Sequence, residues 1–265
     1  MGQPTILNPN SDESAASADS TIYGHAGGSG RTDQDLSTSV TIPAEANTVI
    51  IAATILGEDH ADARVNEITI SGIGSPIYTF DNFGYLDDSD QTVSANLLAF
   101  RVNVYDVSGL GAQTGLTAHA DFSASTDKSC LAGVICTDGF LHEASIINKT
   151  VGSKVIDDKF LVSDPDNSLL VNLHVNESLS TATLTGQEST TVVFKSTDSL
   201  PASQTEISMG CLSQSNFTGT GTIKNCNVAA NYSSTNSRVM LVLKLHSEKD
   251  PYHGITGRLT SPIVK

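Results

Sequence analysis

Tryptophan is absent, aromatic residues make up only 5% of the 265 residues, and Lys plus Arg number 14 against 29 Asp plus Glu. Each shortage narrows the classes of function open to the chain. A formal charge of −15 in a chain with only 16% charged residues reflects scarce cations rather than acidic blocks. Such a surface repels phosphate, so neither nucleic acid nor an anionic membrane is an expected partner. Scarce aromatic rings weigh against a glycan-binding groove, in which rings usually stack on sugar faces. No run approaches the ~20 apolar residues of a membrane-spanning helix. No 3.6-residue apolar period persists for three turns, so a helical bundle is set aside as well.

Motifs that carry chemistry are also missing. There is no G-x-S-x-G, no Walker loop and no G-x-G-x-x-G, and His142-Glu143 lacks the second histidine of H-E-x-x-H. His119, His174 and His246 fall within strand-like stretches, with no sequence feature pairing them to a nucleophile. The acidic stretches Asp87–Asp90, Asp157-Asp158 and Asp164–Asn167 lack the spacing of a calcium-binding loop and read as turns, which Asp and Asn favour by capping the local backbone. No catalytic residue, cofactor or metal ligand is expected, and the chain is not read as an enzyme. Four glycosylation sequons, at Asn148, Asn176, Asn216 and Asn231, are what so Asn-, Ser- and Thr-rich a composition produces by chance.

The four cysteines, Cys130, Cys136, Cys211 and Cys226, form no C-x-x-C pair, so a zinc ribbon is not supported. Cys130 and Cys136 share parity on one strand, roughly 20 Å apart at about 3.3 Å per residue, too far to bridge each other. Cys211 and Cys226 flank a Gly-rich stretch and are candidate cross-strand neighbours. The first ten residues carry neither the basic region nor the apolar core of an export signal. Synthesis in the cytosol and small buried thiols are therefore expected.

What is present is strand after strand. Thr48–Leu56 runs almost without charge and is rich in Val, Ile and Thr, the pattern of a strand buried on both faces. Its counterpart is Arg238–His246, where Val239, Leu241, Leu243 and Leu245 alternate with Arg238, Met240, Val242, Lys244 and His246. Between them, strand-like segments recur roughly every ten residues with turn residues separating them, as in sandwiches and jelly rolls. The expected fold is all-β, an antiparallel β-sandwich or jelly roll over residues 37–246. A loose duplication of layout allows a split near 140–160, where the span from Gly139 to Lys159 reads as less regular.

Outside this domain lie an N-terminal arm, residues 1–36, and a C-terminal arm, residues 247–265. Both are polar and rich in Pro and Gly, yet each holds apolar anchors: Ile6, Leu7, Ile22 and Tyr23 at the front, Tyr252, Ile255, Leu259, Ile263 and Val264 at the back. Segments of this kind gain order when a partner supplies apolar surface. These nine residues are the expected partner-binding set.

Val40-Thr-Ile-Pro-Ala44 with Asn47 before a buried strand, Val65 to Gly72 entering a Gly-rich turn, Ala132-Gly-Val-Ile135 in mid-chain and the closing Val239 to Leu245 form one ordered set. With the Ser/Thr-rich strands, this order resembles the β-sandwich, jelly-roll-like domains of tailed-bacteriophage virion proteins, among them head decoration or cement proteins. The resemblance spans about 37–246 and carries no catalytic residues. It implies a structural virion protein that stabilises a phage head by binding capsid protein, copies of itself, or both, as a homo-oligomer. It also implies a place in the virion after synthesis in the host cytoplasm. A glycan-binding or adhesion module of a phage tail or cell surface is the alternative.

Overall fold

The computed structural model describes residues 3–7, 21–27, 35–57, 64–83, 97–122, 128–149, 155–162, 164–178, 183–186, 191–197, 206–214, 222–231 and 238–249. Among these are seventeen strands and one 3-10 turn, and every strand pairing is antiparallel. The first half of the chain supplies β1 (Thr5–Ile6), β2 (Thr21–Gly27), β3 (Leu36–Ile42), β4 (Ala46–Gly57), β5 (Val65–Ile70), β6 (Tyr78–Phe83), β7 (Leu97–Asp106), β8 (Gln113–Phe122) and β9 (Lys128–Thr137). The second supplies β10 (Phe140–Lys149), β11 (Val155–Val162), the turn Pro165–Asn167, β12 (Ser168–Ser178), β13 (Thr183–Gly186), β14 (Thr191–Thr197), β15 (Glu206–Gln214), β16 (Thr222–Asn231) and β17 (Arg238–His246).

Pairing within each half is nested. In the first, β2 pairs with β9, β3 with β8 and β4 with β7. In the second, β10 pairs with β17, β11 with β16 and β12 with β15. This is the wrapped ribbon of a jelly roll, opened at its innermost pair: β5 and β13 join β8 and β16, while β6 and β14 join β7 and β15. Each half thus has one large sheet, β9-β4-β7-β6 or β17-β12-β15-β14 with its extra edge strand, and one three-stranded sheet, β3-β8-β5 or β11-β16-β13. The chain is two copies of one topology, with no matching repeat in sequence. The link between them is Asp138-Gly139, where Asp138 takes a φ of 51°, a left-handed conformation that Asp tolerates better than most residues. Its N–H donates to Asn47 Oδ1 at 2.6 Å.

The two large sheets face one another across a shared core. Ile50, Ala52, Phe100, Val102, Val104, Cys130, Ala132, Val134 and Cys136 from the first meet Leu141, Leu169, Val171, Leu173, Val175, Cys211, Leu241, Leu243 and Leu245 from the second. The opposite face of the first large sheet is also buried: Val49, Ile51, Ala53, Ile55, Leu131 and Ile135 pack on Val40, Ile42, Val65, Ile68, Ala118 and Ala120 of the small sheet. Covering both faces explains why Thr48–Leu56 reads as a continuous apolar run, since neither parity has a wet side. Cys130, Cys136 and Cys211 are buried thiols, and burial pushes Cys136 up to about 12. Cys226 lies on β16 opposite Asp158, in a different sheet from Cys211.

Polar groups inside the first half are placed to tie its two sheets together. Tyr105 Oη donates to Ile68 O at 2.9 Å, and Asn103 Nδ2 donates to the same carbonyl at 2.9 Å and to Tyr105 Oη at 3.3 Å. Arg101 reaches from β7 to Asn66 O at 2.7 Å and to Asp81 at 2.8 Å. Tyr105→Phe keeps the ring and removes two buried hydrogen bonds, to Ile68 O and from Asn103 Nδ2, so chemical denaturation should register a loss of about 1–2 kcal/mol.

Three expectations are corrected. The stretch from Gly139 to Lys159 is regular: β10 occupies 140–149 and β11 begins at Val155. Asp157-Asp158 is not a turn but lies within β11, opposite Asn227 and Cys226. Parts of the N-terminal segment belong to the sheet. Thr5 and Ile6 pair with Thr137 and Cys136, Leu7 N–H donates to Ile135 O, and β2 resumes at Thr21 opposite Val134. β1 and β2 are therefore two pieces of one edge strand along β9, with residues 8–20 inserted between them.

Candidate functional site

The nine expected partner-binding residues divide by position. Ile6 is 5% exposed and packs in the shared core, so it has no surface to offer another molecule. Leu7 is half-buried against the first half's core. Ile22 and Tyr23 stand on β2 opposite Gly133 and Ala132. Front anchors thus line one sheet edge rather than a free arm. Tyr252, Ile255, Leu259, Ile263 and Val264 lie outside the described residues, as does Asp87–Asp90.

What the fold does bring together is a polar cluster at one end of the molecule, on the seam between the halves. Gln3 Nε2 donates to Ser168 O at 3.2 Å, and Ser247 N–H donates to Asn167 O at 2.9 Å. The two terminal segments are therefore tied to neighbouring carbonyls, and both leave the described structure from this one end. The turn Asp164–Asn167 anchors them: Asn167 Nδ2 donates to both oxygens of Asp164, at 3.2 and 3.0 Å, and His246 Nε2 lies 3.2 Å from Asp164 Oδ2. The bonds from Asn167, then that from His246, hold the Asp164 carboxyl below its ordinary range. Both of its oxygens are occupied, which fits the reading of this stretch as a capped turn.

Beyond β17 further contacts join that of Ser247 in holding the chain. Glu248 N–H donates to His246 Nδ1 at 3.0 Å. His142 Nε2, at the bulge of β10, donates to Glu248 O. The His142 and His246 rings lie 4.8 Å apart, tilted by 33°. Lys249 then crosses to the first half, 2.6 Å from Asp106 Oδ2, with Phe140 beneath its ammonium at 5.8 Å. Burial raises the Asp106 carboxyl, but hydrogen bonds from Lys249 and Ser108 outweigh it and leave the group below its ordinary range.

Both lowered carboxyls favour the folded state while ionised. Their contribution is complete above the ordinary Asp range near ~pH 4 and is lost as pH falls through the lowered folded values. The double variant D106N/D164N should accordingly show a shallower fall of stability with acid below about pH 4, read by urea melts across that range.

A second grouping lies on the outer face of β3-β8-β5. Ser37 Oγ is 3.0 Å from His119 Nδ1, and Asp35 Oδ2 is 3.9 Å from His119 Nε2. These are the residue types of a hydrolase triad, but the carboxylate is beyond hydrogen-bond reach and the serine sits on a strand rather than a sharp turn. The grouping is a surface polar contact. Neither cluster is announced by the sequence, because its members come from elements far apart in the chain. His142 and His246, for instance, meet only because Phe140 pairs with His246. Compared with known proteins, the chain matches no family model, no curated protein and no solved structure.

Proposed function

We propose that this chain is a structural protein of a virus particle. In this reading it decorates or cements the head of a tailed phage by contacts with capsid protein and with copies of itself. The observation that supports it best is that the C-terminal segment leaves at the seam between the halves, where Ser247 N–H is held by Asn167 O and Lys249 by Asp106. Repeated copies of such a segment on a lattice let weak single contacts multiply into strong attachment. The shared core between the halves makes one body on which that segment is mounted. With Ile6 committed to the core, the apolar anchors assigned to a partner are those of the C-terminal segment: Tyr252, Ile255, Leu259, Ile263 and Val264.

Occupancy on purified particles tests this. Truncation after Lys249 should lower occupancy at least tenfold, about 1.4 kcal/mol of binding, without changing the melting temperature of the body by more than a degree or two. Unchanged occupancy removes the C-terminal segment from the contact and favours the adhesion-module alternative. A parallel variant replaces residues 8–20 by a short turn, which the adjacency of Leu7 and Thr21 along β9 permits.

A further inference from the structure

We propose that residues 1–7 are exchanged between copies of this chain, the β1 of one copy filling the β9 edge of a neighbour. The inference starts from a mismatch of lengths along that edge. Leu7 N–H donates to Ile135 O, and Thr21 stands opposite Val134, so β1 and β2 abut along β9. Thirteen residues, 8–20, connect two positions that a direct peptide bond would nearly join. Their sequence, Asn-Pro-Asn-Ser-Asp-Glu-Ser-Ala-Ala-Ser-Ala-Asp-Ser, holds no apolar residue larger than proline and so supplies no core of its own. A chain of that length has a root-mean-square span of about 20 Å and reaches about 45 Å when extended. It is a tether long enough to set β1 on another body.

The seat that receives β1 is built from both halves. Thr5 and Ile6 pair through backbone with Thr137 and Cys136, and the Ile6 side chain enters the shared core. Pro4 is buried beside Gly139, where a Cβ would stand 3.1 Å from the proline Cβ, so the glycine leaves the room that Pro4 fills. Gln3 Nε2 reaches across to Ser168 O at 3.2 Å. A backbone ladder with pockets for alternate side chains is recognition by strand addition, and it reads nothing that distinguishes one copy's residues 1–7 from another's. Ile6 stays buried in either arrangement. What decides between them is concentration: a short flexible tether holds its own strand at an effective concentration of order millimolar. Dilute copies therefore stay closed, whereas neighbours packed side by side on a lattice reach the same concentration and exchange. A two-fold pair or a closed ring leaves no seat empty. The inference rests on the functional reading above only for a lattice that gathers copies. The exchange itself needs no capsid protein, so its test and that of particle occupancy fail independently.

A disulfide trap in the free, full-length chain tests it. One chain carries Thr5→Cys and a second carries Thr137→Cys, positions that face each other in the β1–β9 register. Neither finds its new partner within its own chain, so a mixed disulfide between them records β1 of one copy on β9 of the other. Mixed under oxidised glutathione, the pair should cross-link at least tenfold faster at about 1 mM than at about 10 μM. Replacing residues 8–20 of the Thr5→Cys chain by a two-residue turn holds β1 beside its own β2 and should slow the trap at least tenfold. A synthetic peptide of residues 1–7, added in excess to the unshortened chains, competes for the seat and should slow it as well, a result that does not depend on the shortened chain folding. No mixed disulfide at millimolar protein, an unchanged rate in a folded shortened chain, or an unchanged rate with the peptide each overturns the exchange.

Discussion

Residues 1–138 expressed alone are expected not to give a soluble, cooperatively folded monomer, and the same holds for residues 139–265. Separation would expose one face of each large sheet: Ile50, Ala52, Phe100, Val102, Val104, Ala132 and Val134 on one side, Leu169, Val171, Leu173, Val175, Leu241 and Leu243 on the other. Burying one aliphatic or aromatic side chain contributes about 1.5–3 kcal/mol, and a domain holds only about 5–15 kcal/mol in total. Losing a whole face therefore exceeds what a half can spare. The intact chain should unfold in urea as one transition by both far-UV circular dichroism and tyrosine fluorescence. Phe100→Ala, at the centre of that face, should lower its stability by about 3–5 kcal/mol. Two separated transitions, or a soluble half with a native β spectrum, would show that the halves stand alone.

Gly133→Ala is the second large effect expected. Gly133 lies on β9 between Ile51 of β4 and Ile22 of β2. A Cβ there would stand 2.3 Å from the Ile50 carbonyl oxygen and 3.2 Å from the Ile51 Cα. Both atoms are backbone of a strand buried on both faces, so no side chain can swing aside to make room. Either β9 withdraws from β4, breaking the ladder that carries both cores, or the strand bulges. Overpacking a tight core usually costs about 1–3 kcal/mol; a clash with backbone in a central ladder should reach the top of that range or pass it. Urea denaturation decides the matter, and a loss under ~1 kcal/mol would mean that the two strands part more easily than their burial implies.

Gly133 also marks where sequence reading succeeds and where it stops. The apolar run around it, like Thr48–Leu56, is legible because a strand covered on both faces has apolar residues at nearly every position, whereas Val239–Leu245 is legible by its alternation, with Leu241, Leu243 and Leu245 turned to the shared core. Buried thiols at Cys130 and Cys136 follow from the same pattern. β10 escapes because its bulge at His142 shifts the register between Leu141 and Glu143 and breaks the alternation that identifies a strand. β1 and β2 escape because an edge strand needs little more than free backbone groups to pair, and thirteen residues, 8–20, interrupt it. The duplication is hidden for a related reason: topology repeats through pairing order, which many sequences satisfy. Candidate site residues divide the same way. Apolar side chains in a polar segment suggest a partner, yet Ile6 finds its apolar surface within its own chain. The cluster of His142, Asp164, His246 and Lys249 depends on strand register across more than a hundred positions, which local periodicity does not contain.

Locating the chain in purified virions by cryo-electron microscopy tests the functional reading most directly. The prediction is a double jelly-roll body on the outer surface of the head, with the end carrying Gln3, Asn167 and Lys249 turned toward the capsid and the C-terminal segment continuing between capsid subunits. Absence of the body from the particle, or a body attached with that end facing solvent, would contradict the account.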